Sequence, residues 1–170
     1  MPVLAALVIG ADGSTRVDGG SRKLSTAIDR ERFLTQRRSR ACIIIGGKTA
    51  ATSDYDHSPC AVIVLSQKRP ALLDRNPLAL WWNLTPIDAI AKAKEEFGEK
   101  IGIEAGLSLL LEFLRLKLID ELHLSVTPFA GGEARVDLAL LLGFFRAIKK
   151  TEIDDTVFYH CSIPVGSKWN

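Results

Sequence analysis

Two short apolar runs in this chain each lead through a glycine-containing turn towards a helix. The first run, Cys42-Ile43-Ile44-Ile45, is followed by Gly46-Gly47-Lys48-Thr49, and the second segment, Gly102-Ile103-Glu104-Ala105-Gly106, opens a leucine-rich helix. Small residues between a buried strand and a helix N-terminus leave backbone N–H groups accessible to an anion. Two such turns predict nucleotide binding, with both turns facing one dinucleotide across a parallel sheet.

The rest of the sequence predicts strands that alternate with helices. The predicted strands are Val3–Ile9, 42–45, 61–65, 79–82, 101–104 and 121–127. Three helices are predicted: one that ends near Arg38, one over 86–97 and one over 107–117. Residues 144–150 and 156–162 predict a closing hairpin. This order indicates the α/β class, with a mostly parallel central sheet and an antiparallel C-terminal hairpin. At 170 residues, the chain has the size of one domain over residues 1–170.

Composition and charge exclude several classes of partner. The balance of 22 Lys and Arg against 20 Asp and Glu argues against nucleic acid, which favours a basic stripe. No apolar run approaches the roughly 18 residues that span a membrane, and the apolar start lacks the positive charge of a signal peptide. Three cysteines, an odd number, are typical of reduced thiols, so we expect a cytoplasmic protein.

Three common motifs are incomplete in this sequence, because residues that they require are absent. A Walker A loop ending at Gly47-Lys48-Thr49 needs glycine where Cys42 stands, and no strand is followed by the Rossmann glycine pattern. His57-Ser58-Pro59-Cys60 lacks the glutamate and second cysteine of a zinc deaminase, so we expect no metal.

The order of these motifs resembles a known family. A buried strand is followed by Ile45–Thr49, then by Val62–Ser66, then by Ile103–Gly106 and Asp120–Leu124, and finally by Pro128 and Gly131-Gly132. This order is similar to the dihydrofolate-reductase-like three-layer fold. Within that fold it most resembles the C-terminal reductase domain of the bifunctional riboflavin-biosynthesis deaminase–reductase.

The resemblance implies NADPH as the cofactor. Gly46, Gly47, Lys48 and Thr49 would bind the pyrophosphate from one side, and Glu104, Ala105, Gly106 and Leu107 would approach from the other. Ser66, followed by Lys68 and Arg69, matches the place where dihydrofolate reductases hold the 2′-phosphate, and a hydroxyl with nearby cations suits a phosphomonoester. The alternative for Ser66 is a strand-ending residue in a solvated turn.

The resemblance also implies residues on the substrate side. Asp12, in an Asp-Gly pair beside the nicotinamide, and Ser14 would face the substrate, although Asp12 also suits an Asx turn. Asp29 lies near the carboxylate that binds pterin in dihydrofolate reductases, but its spacing from Thr26 also fits a capping box. Arg37 matches an arginine of the riboflavin reductases, with a solvated helix end as the alternative. Glu104 is expected to face cofactor or substrate, because a carboxylate there is costly unless paired or functional.

Departures from the family pattern lie on the substrate side. Ala41-Cys42 replaces a usual Asp-Ala pair, Ser14-Thr15 stands where a basic residue is common, and Ser53–His57 replaces an acidic stretch. The leading interpretation is an NADPH-dependent reductase of a small heterocyclic or ribosylamino-pyrimidine substrate. Alternatives are a dihydrofolate reductase that uses Asp29 and a non-catalytic dinucleotide-binding paralogue. The family implies a homodimer, for which the apolar run Leu138–Phe145 would suit the interface.

Overall fold

A single mixed sheet organises the structure, a computed structural model that describes residues 2–166. Its strands are β1 (Leu4–Gly10), β2 (Cys42–Gly46), β3 (Ala61–Leu65), β4 (Ala79–Trp82), β5 (Ile101–Ile103), β6 (Glu121–Thr127), β7 (Phe145–Ile153) and β8 (Thr156–Pro164). They lie in the order β4-β3-β2-β5-β1-β6-β8-β7. The first six in this order are parallel to one another, β8 pairs antiparallel with β6, and β7 pairs antiparallel with β8. The predicted α/β class with an antiparallel C-terminal hairpin is confirmed.

Six α-helices accompany these strands within residues 2–166. They are α1 (Ala27–Arg38), α2 (Gly47–Ala50), α3 (Leu72–Arg75), α4 (Pro86–Phe97), α5 (Leu107–Arg115) and α6 (Leu138–Leu142). The helix predicted over 107–117 ends two residues early, because Lys117 adopts a left-handed φ of 56°. None of the helices in this part of the chain is long and apolar enough to cross a membrane.

One face of the sheet carries the larger apolar core. Ile44 and Ile103 on the central strands are fully buried on this face, where Ala89 and Ala93 of α4 and Phe113 of α5 belong to the same core. Strands covered on both faces read as continuous apolar runs, which is why 42–45 and 61–65 were recognisable from sequence.

The other face is covered in two different ways. Over β2 and β3 it carries a smaller apolar core that includes Tyr55 and Leu72. Helix α1 has no apolar stripe: its buried residues are Asp29 and Arg37, and its apolar residues Phe33 and Leu34 are half-buried. A helix that buries charged side chains needs polar partners beneath it, and these partners define the candidate site.

Candidate active site

A cleft of about 770 Å³ lies between α1 and the sheet and reaches the N-termini of α2 and α5. The sheet contributes Ala6, Val8, His123, Ser125, Phe158 and His160, and α1 contributes Asp29, Arg30, Arg32, Phe33, Gln36 and Arg37. Both the sheet and α1 therefore contribute polar and apolar side chains to the cleft.

The two glycine turns predicted to bind an anion meet at this cleft. All eight residues of the two turns, Gly46 to Thr49 and Glu104 to Leu107, line it. Their strands are neighbours, because β2 pairs in parallel with β5 and Ile44 lies opposite Ile103. A Cβ added at Gly106 would lie 3.8 Å from the Thr49 hydroxyl oxygen, so the two turns adjoin. The structure thus brings the two turns together, and their binding of a dinucleotide stays a prediction.

Both helices begin without a side-chain cap. Gly46 is the N-cap of α2 and Gly106 is the N-cap of α5, and neither supplies an oxygen to the first-turn N–H groups. Uncapped first-turn N–H groups together with the positive end of the helix dipole suit an anionic ligand.

A buried ion pair forms the wall beside these turns. The Arg37 guanidinium donates through Nε to Glu104 Oε1 at 3.0 Å and through Nη2 to Oε2 at 2.7 Å. The Tyr55 hydroxyl donates to Glu104 Oε2 at 2.8 Å, and the guanidinium lies 4.6 Å from the Phe33 ring centre and 4.8 Å from that of Tyr55. Arg37 is therefore not the solvated helix end that the basic run suggested, because Glu104 and two aromatic rings hold it in the interior.

Burial and the charge of Glu104 shift the pKa values of Arg37 and Tyr55. Burial lowers the pKa of Arg37, but the hydrogen bonds and charge of Glu104 more than offset it, so that pKa lies above its ordinary value. Burial, and then the negative charge of Glu104, raise the pKa of Tyr55 well above its ordinary value. The phenol is thus a neutral donor, and Glu104 is a paired carboxylate that also lines the cleft.

Asp29 occupies a position that suits both of its predicted roles. The Thr26 hydroxyl accepts from the Asp29 N–H and caps α1, as the spacing predicted. The Asp29 carboxylate accepts from the Ser25 hydroxyl, is 6% exposed and lines the cleft. Its side chain is therefore available to a ligand in the cleft rather than committed to the cap.

Asp12 and Ser14 lie outside the residues that line the cleft. The Asp12 carboxylate accepts from the Ser14 hydroxyl and, at 2.8 Å, from the Gly131 N–H, while the Ser14 hydroxyl accepts from the Gly132 N–H. The Ser14 hydrogen bond, followed by that of Gly131, lowers the pKa of Asp12 to about 2. The geometry is that of the Asx turn considered as the alternative, and it anchors the loop after β1 to the loop after β6.

Ser66 and Lys68 lie behind the first glycine turn. A Cβ added at Gly47 would lie 3.2 Å from Ser66 Cβ, but the Ser66 hydroxyl donates to the Lys68 carbonyl at 2.7 Å. Lys68 and Arg69 are exposed, and Arg69 pairs with Asp74. The hydroxyl thus closes a local turn at the rim, beside the α2 N-terminus and outside the cleft lining.

Cations outnumber carboxylates around the cleft. The cationic residues that line it are Arg16, Arg22, Arg30, Arg32, Arg37 and Lys48, and the acidic residues are Asp29, Asp54, Glu104 and Glu112. Arg37 pairs with Glu104, Arg22 lies 3.4 Å from Asp54, and Arg16 lies 3.4 Å from Glu133, which is outside the lining. The remaining positive charge favours a ligand that carries phosphate groups.

A polar face on β6 is the main feature that sequence reasoning missed. Glu121, His123, Ser125 and Thr127 alternate with apolar residues along this strand. His123 lies opposite His160 of β8, with ring centres 4.5 Å apart, and both line the cleft. Burial, and then His160, lower the pKa of His123 to about 4, so its ring is neutral at pH 7. The strict alternation was the available signal.

The sheet, its hairpin and the cleft at the glycine turns define an α/β protein of the dihydrofolate-reductase-like class. The RibD C-terminal domain family model matches residues 2–156, and the chain belongs to that family. The resemblance stated from sequence motifs is thereby confirmed. No curated protein matches the sequence.

Solved structures with the same fold are distant in sequence. RibD from Acinetobacter baumannii superposes with a TM-score of 0.70 at 18% identity, over 97% of this chain and 58% of that one. A pyrimidine reductase-like protein from Corynebacterium diphtheriae gives 0.63 at 15% identity, over 95% and 92%. A deaminase/5-amino-6-(5-phosphoribosylamino)uracil reductase from Thermotoga maritima gives 0.65 at 14% identity, over 96% and 56%. The chain thus spans little more than half of the RibD chain from Acinetobacter baumannii.

Proposed function

We propose that this chain is an NADPH-dependent reductase of the riboflavin pathway. Its substrate class would be a ribosylamino-pyrimidine or similar small heterocycle, as the name of the Thermotoga maritima protein indicates for that protein. The supporting observations are the family membership and a cleft that joins two glycine turns to a positively charged wall.

The observation that carries the proposal is the meeting of two uncapped helix N-termini. Gly46 and Gly106 sit at the carboxyl ends of neighbouring parallel strands, where ligands of open α/β sheets bind. Their N–H groups would hold a pyrophosphate between them, with Lys48 and Thr49 on the cleft side. The residues present therefore fit a dinucleotide.

The chain's own residues would act mainly by positioning. The cofactor, when bound, supplies the hydride. The Arg37, Glu104 and Tyr55 network fixes one wall, and Asp29 projects into the cleft from α1. Arg30 and Arg32 of α1 are placed to bind the phosphate of a phosphorylated substrate. Holding both reactants at short range in a partly dry cleft is a large source of rate enhancement.

A second candidate is a dihydrofolate reductase. The specific observation in its favour is the buried Asp29 carboxylate on the cleft wall, which matches the position expected for a pterin-binding acid. Oxidation of NADPH with dihydrofolate, but not with a ribosylamino-pyrimidine, would select this alternative. Binding of NADPH with no turnover of either substrate would select the non-catalytic paralogue.

The first test is a fluorescence titration of the purified protein with NADPH and, separately, with NADH. We expect saturable binding of NADPH and weaker binding of NADH, because the proposal places Ser66 and Lys68 beside the 2′-phosphate. Equal affinities would overturn the role of Ser66 and Lys68, and no binding of either dinucleotide would overturn the reductase.

A matched pair of variants tests the glycine turn itself. Gly106 has φ −62° and ψ 167°, which other residues adopt, so Gly106→Asp and Gly106→Asn should both cap α5 and fold. Only the aspartate adds a negative charge where the pyrophosphate is expected. The NADPH Kd should therefore be about 10-fold or more weaker for Gly106→Asp than for Gly106→Asn. Equal Kd values would place the phosphates elsewhere.

We also propose a homodimer, as the family resemblance implies. Leu140, in the run expected at the interface, is 48% exposed, whereas Leu141 and Phe145 are buried in the core. Light scattering coupled to size exclusion measures the mass directly. A monomer for the wild type would refute the dimer, and Leu140→Glu should dissociate it if this run forms the interface.

A further inference from the structure

Three metal-ligating side chains converge on the polar face of β6 and β8. Glu121 and His123 are two residues apart on β6 and so share a face, and His160 lies directly opposite His123 on β8. One ligand atom from each of the three residues lies within 4.8 Å of the other two. Sheet register alone therefore brings two imidazoles and a carboxylate together.

The three ligand atoms are close enough to reach a single ion. Glu121 Oε2 lies 2.8 Å from His160 Nε2 and 3.9 Å from His123 Nε2. Ligand atoms about 2.0 to 2.2 Å from a tetrahedral zinc ion are about 3.3 to 3.5 Å apart. The 2.8 Å contact is a hydrogen bond between His160 and Glu121, which a bound ion would replace, and the 3.9 Å separation is longer than this range. Side-chain rotations would bring both separations to the ion's geometry.

A residue of α1 orients one of the ligands. The Gln36 amide contacts His123 Nδ1, which leaves Nε2 as the atom directed towards Glu121. Metal-bound histidines commonly use their second ring nitrogen in such a contact, with the N–H donated to an oxygen. A half-turn of the Gln36 amide would present its carbonyl oxygen to Nδ1 for that purpose.

The donor set identifies the kind of ion. We propose that Glu121, His123 and His160 bind a divalent transition-metal ion, with Zn²⁺ the best match. Two imidazoles and one carboxylate are a donor set that zinc accepts, and three protein ligands leave a coordination position open. Both histidines line the cleft, so water or an oxygen of a ligand in the cleft would fill that position.

This inference differs from the expectation of no metal, which rested on the failed motif at His57 and Cys60. Those residues take no part, and thiols are not among the ligands. Cys161 follows His160 in β8 but lies opposite Leu122, on the other face of the sheet. Arg40 interacts electrostatically with Glu121 and competes with the ion, so binding is expected to be weaker than at a site without that cation.

Calorimetric titration with Zn²⁺ tests the site. The full chain, free of any histidine tag and stripped with a chelator, should bind one equivalent. His160→Asn and Glu121→Gln should each weaken the Kd by at least about 10-fold, since loss of a second-shell partner alone costs that much. His57→Asn is the matched control, because it removes an exposed imidazole outside the cluster and should leave the Kd unchanged.

Cobalt(II) provides a readout independent of any enzyme activity. Co²⁺ bound by nitrogen and oxygen should give visible ligand-field absorption that the His160→Asn variant loses. Equal unfolding temperatures of wild type and variant in excess chelator would show that the variant folds; its imidazole is 46% exposed, so folding is expected. Absence of saturable binding, undiminished binding by the His160→Asn, Glu121→Gln double variant, or a thiolate-to-cobalt charge-transfer band would each overturn the site.

Discussion

At the scale of single residues, the contact between Arg37 and Glu104 joins two buried charges. Both side chains are less than a tenth exposed, and the two are joined by two hydrogen bonds. Desolvating two charges costs as much as their attraction returns, but removing one partner leaves the other charged and buried. Replacing one of the two residues should therefore lower the stability of the fold far more than replacing both.

We predict that Arg37→Met lowers the free energy of unfolding by about 3 to 5 kcal/mol. The double variant Arg37→Met, Glu104→Leu should recover much of this loss, because no unpaired carboxylate remains. Urea denaturation of the wild type, both single variants and the double variant measures the coupling. Additive losses would mean that the two side chains do not depend on each other.

Asp12 is expected to contribute to the loss of folding stability at low pH. Its pKa is lowered to about 2 in the folded protein, from an ordinary value of 3.8. A carboxyl with a depressed folded-state pKa stabilises the protein above its unfolded pKa and loses that contribution as pH falls through the folded value.

The stability advantage of wild type over Asp12→Asn should therefore be full above about pH 5 and shrink towards about pH 2. Thermal unfolding of both proteins across this range measures it. Glu133→Gln, on the loop that Asp12 contacts but paired with Arg16 at an exposed position, serves as the control and should change this dependence little. A constant difference between wild type and Asp12→Asn would show that Asp12 does not titrate in this way.

At the scale of elements, helix α4 shows how local signals define boundaries. The Thr85 hydroxyl accepts from the Asp88 N–H at 3.2 Å, Pro86 follows, and Gly98 ends the helix with a φ of 80°. Thr85 is exposed, so its effect is confined to capping.

We expect Thr85→Ala to cost about 1 kcal/mol of stability, while Thr85→Ser, which keeps the hydroxyl, should cost little. Chemical denaturation of the two variants beside wild type measures the difference. An equal cost for both would mean that the threonine methyl group, rather than the cap, stabilises this end of the helix.

Elements of this kind could be predicted because their causes are local. The runs of β2 and β3, the caps of α4 and the turn between β7 and β8 all lie within a few residues of their signals. The burial of Arg37 could not be predicted, because its partners Glu104 and Tyr55 are 67 and 18 residues away along the chain. Likewise, His123 lies opposite His160 because of the register between β6 and β8, and no local sequence pattern predicts that register.

At the scale of the whole molecule, the cleft concentrates positive charge while the chain has a net charge of only +2. At 0.1 M salt, the attraction between exposed charges is largely screened once they are more than about 10 Å apart. Binding of a phosphate-rich ligand should therefore depend on ionic strength.

We expect the NADPH Kd to weaken several-fold between about 0.05 M and about 0.5 M NaCl, because screening reduces the attraction. Adenosine, which lacks phosphates, should respond much less. Fluorescence and calorimetric titrations over this range make the comparison. A salt-independent NADPH Kd would indicate that the arginines around the cleft do not bind its phosphates.

Helix α1 buries an aspartate and an arginine where most helices bury leucines. Its attachment to the sheet depends on directional polar contacts rather than on a tightly packed apolar seam. Such contacts are lost together when geometry is disturbed, so α1 should open more readily than α4 or α5 without global unfolding. A ligand that fills the cleft would supply the contacts that the helix lacks, so its binding would hold α1 against the sheet.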